Sequence, residues 1–491
     1  MSSSTALLSH SYADVLPDMG VAWQARPASD PGLVVVNESL AEEVGLDTEW
    51  MKSEPGLGML VGTVPPEGAM PVAMAYAGHQ FGGYSPLLGD GRALLMGELT
   101  TADGALIDVH LKGSGRTPFA RGGDGRATLP AMLREYLIAE AMHALGIPTT
   151  RSLAVVTTGE DIVRDVPVPG AVLTRLAASH LRVGSLQFAA SRREDPDLVQ
   201  RVADYAIARH YPSLADRDDR YLAFLNAVVD AQASLVAQWM LVGFIHGVMN
   251  TDNMLVSGET IDYGPCAFLD RFNPATVYSS IDLDGRYAYG NQPAMAQWNL
   301  VRLAETLLGL IDDDLEAAVE AVTEGLHAFP DRYRLYWEDG MQAKLGLRDR
   351  DSSDAERFDA LLSMMQAAKA DYTSTFRSLS DALRGDESSL RAQIHHAHIE
   401  GWISAWKQRL VDEGADLWEV AETIDRVNPI YIPRNHLVEE ALDAAGRGNL
   451  APFQTLLDVV THPFEEREEH DRYAAPASEA FTARYKTFCG T

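Results

Sequence analysis

Cysteine is almost absent from this chain: Cys266 and Cys489 are its two cysteines in 491 residues. Two cysteines exclude a framework of several disulfides and are typical of a reducing compartment, so we expect a cytoplasmic protein. The amino-terminal residues lack the basic start and apolar core of a signal peptide. No run of 18 apolar residues is free of polar breaks, so no membrane span is expected.

Positive charge is also scarce, because 40 Lys and Arg face 70 Asp and Glu and the net charge is −30. An acidic surface argues against nucleic acid or an anionic membrane as the main partner. Residues 89–182 are the exception, since their basic and acidic residues balance. A locally cationic segment in an acidic protein suits a small polyanion such as a nucleoside triphosphate; ordinary surface salt bridges are the alternative.

Residues 246–264 carry the densest chemical pattern, directly after the largely apolar run 221–245. The pattern parallels the protein-kinase signature His-x-Asp-x-x-x-x-Asn followed by Asp-Phe-Gly. His246, Asn253 and Asp262 take the places of the His, the metal-binding Asn and the metal-binding Asp. Such ligands, on loops either side of a short hairpin, suit a Mg²⁺ ion that bridges substrate phosphates. A chance grouping in an ordinary loop is the alternative.

The kinase pattern is incomplete at its base. Val248 stands where a kinase has its catalytic Asp, and a valine cannot accept a proton. The nearest carboxylate is that of Asp252, beside the metal-binding Asn. The segment therefore predicts a kinase-like site that lacks the usual base.

Two glycine-rich stretches are candidates for phosphate binding. The turn at residues 88–92 contains Gly89, Gly91 and Arg92 and leads into a predicted strand. Backbone N–H groups and one fixed charge in such a turn cradle phosphates, although a plain tight hairpin is the alternative. The second stretch, residues 113–126, is a long loop rich in Gly and Arg, and its arginines favour a functional loop.

Residues 105–112 alternate between apolar and polar side chains, which predicts a strand with Lys112 directed away from the core. A helix with Pro130 in its first turn and Glu135 in its second follows, and it stops at Gly146. A strand Lys followed by a helix Glu resembles the ion pair that orients the kinase lysine on the phosphates. A surface glutamate is the alternative.

Two further strands are predicted at 152–158 and 171–176, around a Gly-Glu-Asp turn and a Pro-rich linker. Arg175 lies in the second strand and Arg182 follows it. Together with the upstream cations Arg92 and Lys112, these two arginines favour a site that clamps phosphates. Isolated salt bridges are the alternative.

The rest of the chain has the pattern of helices. They are predicted over about 195–245 and 294–310 and through most of 313–491, where residues 428–435 form an ordered loop.

Several blocks, read in order over nearly the whole chain, resemble the selenoprotein O family, whose members are kinase-fold proteins that act as protein adenylyltransferases. The blocks are Tyr76-Ala-Gly-His-Gln-Phe-Gly82, Leu88-Gly-Asp-Gly-Arg92, Leu111-Lys-Gly-Ser-Gly with Asp124-Gly-Arg126, Gly146-Ile-Pro-Thr-Thr-Arg151, His246-Gly-Val-Met-Asn-Thr-Asp-Asn253 and Asp262-Tyr-Gly264.

The resemblance implies that ATP binds in a flipped orientation, with the γ-phosphate inward and the α-phosphate facing the acceptor, so that AMP is moved onto a Ser, Thr or Tyr hydroxyl of a protein. The implied site has four parts. They are nucleotide contacts from Gly89, Gly91, Arg92, Lys112, Asp124, Gly125, Arg175, Arg182 and Asp262, an ion pair of Lys112 with Glu135, Mg²⁺ or Mn²⁺ on Asn253 and Asp262, and Asp252 as the proton acceptor.

The patterns and the resemblance together indicate an α+β, protein kinase-like bilobal fold with a β-rich N-lobe and a helical C-lobe. We expect an N-terminal extension at 1–70, the N-lobe with nucleotide-binding loops at 71–185, the C-lobe with catalytic and metal-binding loops at 186–320, and a helical C-terminal region at 321–491. The expected partners are ATP and protein substrates with acceptor hydroxyls, and the expected state is a monomer.

Three alternative functions stay open beside AMP transfer. They are UMP transfer from UTP with Mn²⁺, a conventional phosphotransferase reaction, and a nucleotide-binding pseudokinase scaffold without activity. The missing base at Val248 favours the scaffold, whereas the intact set of Lys112, Glu135, Asn253 and Asp262 argues against it.

The resemblance also concerns the two cysteines. Vertebrate members of the family carry selenocysteine third from the C-terminus, and Cys489 has that place here. Some bacterial members join this tail cysteine to one just after the Asp-Tyr-Gly, where Cys266 stands. The resemblance therefore predicts a Cys266–Cys489 disulfide, and two free thiols are the alternative.

Overall fold

The computed structural model describes residues 8–65, 69–164 and 166–488 and shows a mixed α and β fold. Its strands are β1 Gly20–Ala22, β2 Gly32–Val36, β3 Val72–Met74, β4 Gly78–Gln80, β5 Gly83–Ser85, β6 Ala93–Thr100, β7 Leu106–Lys112, β8 Ala127–Thr128, β9 Arg151–Val163, β10 Pro167–Ala177, β11 Phe244–Ile245 and β12 Ala267–Phe268. The first half of its helices are α1 Ser11–Val15, α2 Glu38–Glu43, α3 Thr48–Met51, α4 Glu54–Val61, α5 Leu129–Ala144, α6 Val183–Ser191, α7 Leu198–His210, α8 Arg220–Val242, α9 Gln292–Ile311 and α10 Leu315–His327. The second half are α11 Phe329–Leu345, α12 Asp354–Ala368, α13 Tyr372–Leu383, α14 Ser388–Gln393, α15 Ile399–Asp412, α16 Leu417–Asp425, α17 Asn435–Gly446, α18 Ala451–Val460, α19 Asp471–Ala474 and α20 Glu479–Thr482.

An antiparallel sheet forms the first part of the molecule. Its strands follow the order β1-β3-β6-β7-β10-β9-β2, and β8 pairs with β10. Both edge strands come from the N-terminal extension, because β1 pairs with β3 and β2 pairs with β9. The extension is therefore part of the sheet and supplies both of its edge strands, β1 and β2.

The predicted alternation in β7 is confirmed, but the strand is buried on both faces. Val109 and Leu111 lie in the hydrophobic core, and Asp108, His110 and Lys112 on the opposite face are buried as well. The polar face contacts charged groups from other elements rather than water, so these side chains need partners within the protein.

The two strands predicted at 152–158 and 171–176 are too short, because β9 and β10 form one long hairpin. The Gly-Glu-Asp sequence that we expected to be a turn lies inside β9, where Gly159 adopts φ +75°. The Pro-rich segment that we expected to be a linker lies in β10, and the pairing shifts register between Pro169 and Ala171. A β-bulge allows Gly and Pro to lie inside a strand without ending it. In the sequence alone, the same residues indicate the end of a strand.

Helix α5 agrees with its prediction and carries Glu135 into the site. Pro130 occupies its first turn, and Gly146 follows its end at φ +79°. One side of the helix packs on β9 and β10, and the other packs on α17 and α18 from the C-terminal region. The shared apolar core on this side includes Leu133, Leu137, Leu173, Leu437, Val438, Phe453 and Leu456. The C-terminal helices therefore stabilise an element of the site.

Two local predictions are wrong. Helix α6 lies where no helix was expected, since the helical region was predicted to begin at about 195. The short hairpin predicted inside the segment 246–264 is not formed. Leu255 instead bridges to Arg182, and Thr260 bridges to Thr149. Residues of the segment therefore pair with distant backbone rather than with each other.

The remaining helical predictions are confirmed by α7 to α9 and by the helices after residue 313. Among the described helices, α8 alone is long and apolar enough to cross a bilayer by length and composition, and 56% of its most apolar window is buried inside the fold. Core helices have the same character.

The loop predicted at 428–435 is ordered by a buried ion cluster. The guanidinium of Arg434 is buried, and its Nη1 lies 3.0 Å from an Asp270 carboxylate oxygen and 2.7 Å from one of Asp371. Asp270 follows β12, so this cluster ties the C-terminal region to the chain just after the segment 246–264.

We expect Arg434→Met to lower the free energy of unfolding by about 3–5 kcal/mol, because it leaves two buried carboxylates without a cation. Urea unfolding followed by circular dichroism measures the change. Combining Arg434→Met with Asp270→Asn and Asp371→Asn removes the stranded charges and should recover much of the loss. Unchanged stability of Arg434→Met alone would contradict the assignment.

Candidate active site

A cavity of about 290 Å³ lies between the sheet and the segment 246–264. The residues that line it include most of the predicted site residues, namely Gly89, Gly91, Arg92, Lys112, Asp124, Gly125, Glu135, Arg175, Arg182, Asn253 and Asp262. They come from loops, from β7, β10 and α5, and from the segment 246–264, so the fold brings together groups that are far apart in the sequence.

Three buried cations converge on the carboxylate of Asp262. Its Oδ1 lies 2.7 Å from Lys112 Nζ and 2.8 Å from Arg175 Nη1, and its Oδ2 lies 2.9 Å from Arg182 Nη1. Burial raises the pKa of Asp262, but these cations outweigh it and hold the pKa well below its ordinary value. The carboxylate is therefore ionised and serves as the shared counter-ion of the cluster.

The backbone of Asp262 is also unusual. Its φ is +65°, a left-handed conformation that costs a residue with a Cβ on the order of 1 kcal/mol or more. Such strain persists where surrounding contacts over-determine the conformation, and here the three cation contacts do so.

Glu135 provides the second anion of the cluster. Its Oε1 lies 2.6 Å from Lys112 Nζ, and its Oε2 lies 4.0 Å from Arg175 Nη1. Asp90, which also lines the cavity and interacts with Arg182, is a third carboxylate, so three cations face three anions. A polyanion that enters the cavity would therefore bind these cations by replacing a carboxylate as their partner.

Arg182 joins the two parts of the site. Its Nη1 donates to the backbone oxygen of Asp252 at 2.5 Å as well as to Asp262, and its guanidinium lies 4.6 Å from the centre of the Tyr76 ring. Burial lowers the pKa of Arg182, but its neighbours Tyr76, Asp262 and Asp90 outweigh burial and raise the pKa above its ordinary value.

The two glycine-rich stretches pack against each other. Gly89 adopts φ +74°, and a Cβ there would lie 2.4 Å from the ring of Phe119 in the second stretch. The Asp124 carboxylate lies at the rim and binds Arg164 through both oxygens, at 2.9 and 3.1 Å. This ion pair, in which the Arg164 hydrogen bonds are the largest cause, lowers the pKa of Asp124. The predicted nucleotide contact thus has a protein partner here.

Asp252 is not among the described residues that line the cavity. Its carboxylate lies under the β4–β5 hairpin, is 7% exposed, and has one oxygen, Oδ1, without a hydrogen-bond partner in the described part of the chain. Burial raises its pKa to about 6, and Arg182 opposes this shift. Val248, by contrast, lines the cavity.

The candidate metal ligands are hard oxygen donors. Asn253 donates its amide N–H to the oxygen of Val248 at 3.0 Å, which leaves its amide oxygen for a cation, and Asp262 contributes a carboxylate. No cluster of three or more His, Cys, Asp or Glu suited to a metal occurs among the described residues. Mg²⁺ is commonly held by one or two protein oxygens and completed by phosphates and water, so the donor set fits a nucleotide-bound Mg²⁺.

Cys266 is buried, and its thiol donates to the oxygen of Tyr263 at 3.1 Å. Burial raises the pKa of this thiol to about 12. Cys489 lies outside the described residues, so the disulfide stays a prediction. The last described part of the tail does reach this region, since Thr487 Oγ1 donates to the oxygen of Pro265 at 2.6 Å.

Sequence reasoning missed the residues behind Arg175. His110 lies opposite Arg175 in the β7–β10 pairing, its Nδ1 is 3.4 Å from Arg175 Nη2, and its Nε2 is 3.0 Å from Asp90 Oδ2. Because the carboxylate of Asp90 accepts, Nε2 carries the proton and Nδ1 accepts from Arg175. Burial lowers the pKa of His110, which keeps the ring neutral for this role. The alternation in β7 placed His110 on the Lys112 face, but the cross-strand register was not visible.

Comparison with known proteins gives a consistent result. The family model "Protein adenylyltransferase SelO" matches residues 8–461. The chain is 57% identical over 497 residues to a protein nucleotidyltransferase YdiU of Mycolicibacterium smegmatis, with 100% of both chains covered. It is 55% identical over 494 residues to one of Rhodococcus jostii, covering 100% of this chain and 95% of the relative. It is 55% identical over 484 residues to one of Cereibacter sphaeroides, covering 98% of this chain and 99% of the relative.

We expect His110→Leu to weaken MgATP binding by about tenfold or more, because Arg175 loses its acceptor and hydrogen bonds to charged groups contribute about 1.5–3 kcal/mol. Isothermal titration calorimetry measures the affinity. His110→Asn retains an acceptor near the place of Nδ1 and should bind more tightly than His110→Gln, which retains the donor toward Asp90. Equal affinity of His110→Leu and the unsubstituted protein would refute the role of the ring.

Proposed function

This chain belongs to the SelO family of protein adenylyltransferases, and on that premise we propose that it transfers AMP from ATP to Ser, Thr or Tyr hydroxyls of proteins, with the γ-phosphate of ATP inward. The family and its relatives make the chain a protein nucleotidyltransferase that uses a nucleoside triphosphate and a protein. The chemical identity of the acceptor and the orientation of ATP are the proposed parts.

The convergence of Lys112, Arg175 and Arg182 is the observation that carries the proposal. All three are buried and line the same cavity. Lys112 alone matches the kinase lysine that contacts phosphates, and Arg175 and Arg182 add two further buried cations with which the inner phosphates of an inverted triphosphate would pair. Val248 in the place of the kinase base is also consistent with a reaction other than transfer of the γ-phosphate.

The fold supports a kinase-like bilobal arrangement. The cavity has the sheet on one side and residues from Val248 to Pro265 on the other, which is where a cleft between an N-lobe at 71–185 and a C-lobe at 186–320 would lie. The extension at 1–70 and the helical region at 321–491 would brace these lobes. The low cysteine content supports action in the cytoplasm.

In the proposed reaction, the phosphates replace Asp262 as the partner of Lys112, Arg175 and Arg182. The acceptor oxygen forms a bond to the α-phosphorus while the bond from that phosphorus to the bridging oxygen breaks, so that pyrophosphate leaves. The acceptor proton goes to Asp252, whose Oδ1 has no partner among the described residues.

Asp262 and Asn253 would hold Mg²⁺ or Mn²⁺, which when bound supplies charge neutralisation for the pyrophosphate leaving group. The Asp262 carboxylate would then exchange its partners in a single event. It would leave Lys112, Arg175 and Arg182 and become a ligand of the metal ion. Nucleotide binding would therefore create the metal site by removing the competing cations.

Incubation of the purified protein with a mixture of acceptor proteins and either α-³²P-ATP or γ-³²P-ATP tests the reaction. Label from α-³²P-ATP alone, with a mass gain of one AMP per modified site, is expected. Label from γ-³²P-ATP would identify a phosphotransferase and overturn the phosphate roles of Arg175 and Arg182. Parallel reactions with α-³²P-UTP and Mn²⁺ compare UMP transfer, and absence of all label would favour the inactive scaffold.

We expect Asp262→Asn to reduce Mg²⁺-dependent transfer by about a thousandfold, since a metal carboxylate is lost. The same variant should bind metal-free ATP more tightly than the unsubstituted protein, by about tenfold, because the anion that competes for the three cations is removed. Calorimetry with and without Mg²⁺ measures both affinities. Weaker binding of metal-free ATP would contradict the exchange of partners. Asp252→Asn is the comparison, and it should lose transfer while ATP affinity is kept.

A further inference from the structure

The β4–β5 hairpin covers the proposed base. A Cβ on Gly78 would lie 2.5 Å from Asp252 Oδ1, and Gln80 Nε2 lies 3.4 Å from Asp252 Oδ2. The hairpin backbone is bound to the segment 246–264, since His79 N donates to Thr251 Oγ1 at 2.7 Å. An acceptor hydroxyl that reaches Asp252 Oδ1 must therefore pass beside this hairpin.

Phe81 at the hairpin turn is held in a strained and partly exposed position. Its φ is +51°, which is uncommon for a bulky side chain, and its N–H donates to Asn250 Oδ1 at 3.0 Å. The ring packs at 5.1 Å from the ring of Tyr287 and is 36% exposed. Strained backbone conformations of this kind cluster at binding sites, where they hold a side chain in its binding position before the ligand arrives.

A second apolar element lies on the loop 281–287, whose end contacts the hairpin through the rings of Tyr287 and Phe81. Ile281 is 53% exposed and Leu283 is 90% exposed. The loop is ordered rather than loose, because the Asp282 carboxylate accepts from Arg286 N at 2.9 Å and from Tyr287 N at 2.8 Å. The loop is joined to the segment 246–264, because Tyr287 Oη donates to Asn250 Oδ1 at 2.8 Å, so it presents exposed apolar side chains from a fixed support.

Arg286 connects the loop to the hairpin and has no carboxylate partner among the residues with described positions. Its guanidinium lies 4.7 Å from the centre of the Trp298 ring, and a Cβ on Gly82 would be 3.8 Å from its Cζ. Arg302 lies over the same ring at 5.0 Å, but it is paired with Glu305 at 2.8 Å. Of the two arginines on this tryptophan, Arg286 is the one whose charge is left for a partner.

We propose that Phe81, Ile281, Leu283 and Arg286 form an acceptor surface that binds the polypeptide to be modified. The partner it fits is a segment in which the Ser, Thr or Tyr is flanked by an apolar residue and by an acidic residue. The apolar residue would contact Phe81 and Leu283, and the carboxylate would pair with Arg286. This inference rests on the proposed function, because it assumes that the acceptor is a protein and that Asp252 receives its proton.

The test uses the full-length protein and three fluorescent peptides that share one acceptor Tyr and one Phe and differ only in a flanking Asp, Asn or Lys. Transfer from α-³²P-ATP with Mg²⁺ and peptide affinity by fluorescence anisotropy are measured separately. The unsubstituted protein should prefer the Asp peptide to the Lys peptide. Arg286→Glu should lower transfer to the Asp peptide by about tenfold and reverse the preference, with ATP affinity unchanged.

Two further variants separate the parts of the surface. Phe81→Gly removes the ring and is compatible with the left-handed backbone. It should lower the affinity for all three peptides by the same factor and leave the charge preference unchanged. Arg302→Gln is the matched control, since it removes a cation from the same tryptophan that already has a partner, and the preference should persist.

The outcomes distinguish the surface from the reaction. Equal peptide preference in the unsubstituted protein and in Arg286→Glu, with transfer intact, overturns the acceptor surface and leaves the proposed function standing. Charge-dependent peptide binding that Arg286→Glu reverses, without label in any reaction, supports the surface and overturns the reaction. Absence of both peptide binding and label overturns both.

Discussion

The carboxylate of Asp262 carries the electrostatic balance on which the proposed nucleotide site depends. Lys112, Arg175 and Arg182 are all buried, and cations this close are tolerated away from water only with anions between them. These residues come from two strands of the sheet, from the segment before α6 and from the segment 246–264. The contacts that neutralise the cluster therefore also join the sheet to the helical part of the molecule. Because the folded protein holds these cations in position before the substrate binds, they can stabilise negative charge that develops during a reaction.

The proposed site has a nucleotide side and an acceptor side, and Asp252 would lie between them. Its backbone oxygen binds Arg182 on the nucleotide side, while its carboxylate lies under the β4–β5 hairpin on the other. If Asp252 is the base, as proposed, it would serve a hydroxyl that arrives past the hairpin rather than one already inside the cavity. Val248, which faces the cavity instead, could serve neither. This proposed division would make a kinase-like pattern without the kinase base compatible with group transfer.

Much of the site could be predicted from the sequence because its motifs are local. Lys112 was predicted from the alternation of one strand, and Glu135 from the second turn of a helix whose start is marked by Pro130. The contact between His110 and Arg175 was missed, since it depends on the register that places these two residues opposite each other. Helix α6 and the full length of the β9–β10 hairpin were missed because glycines and prolines inside them read as breaks. The kinase-like division into lobes stays a prediction.

The sequence by itself determined the chemistry that is available: which cations, carboxylates and glycine turns occur, in what order, and on which face of a strand or helix they lie. Such features depend on neighbours a few residues away. Only the tertiary structure decided which of these groups meet. Lys112 and Asp262 are 150 positions apart, and their contact requires the sheet and the helical part to pack correctly. The burial of Asp252 under a distant hairpin is of the same kind, since exposure is a property of the packed chain and not of its local sequence.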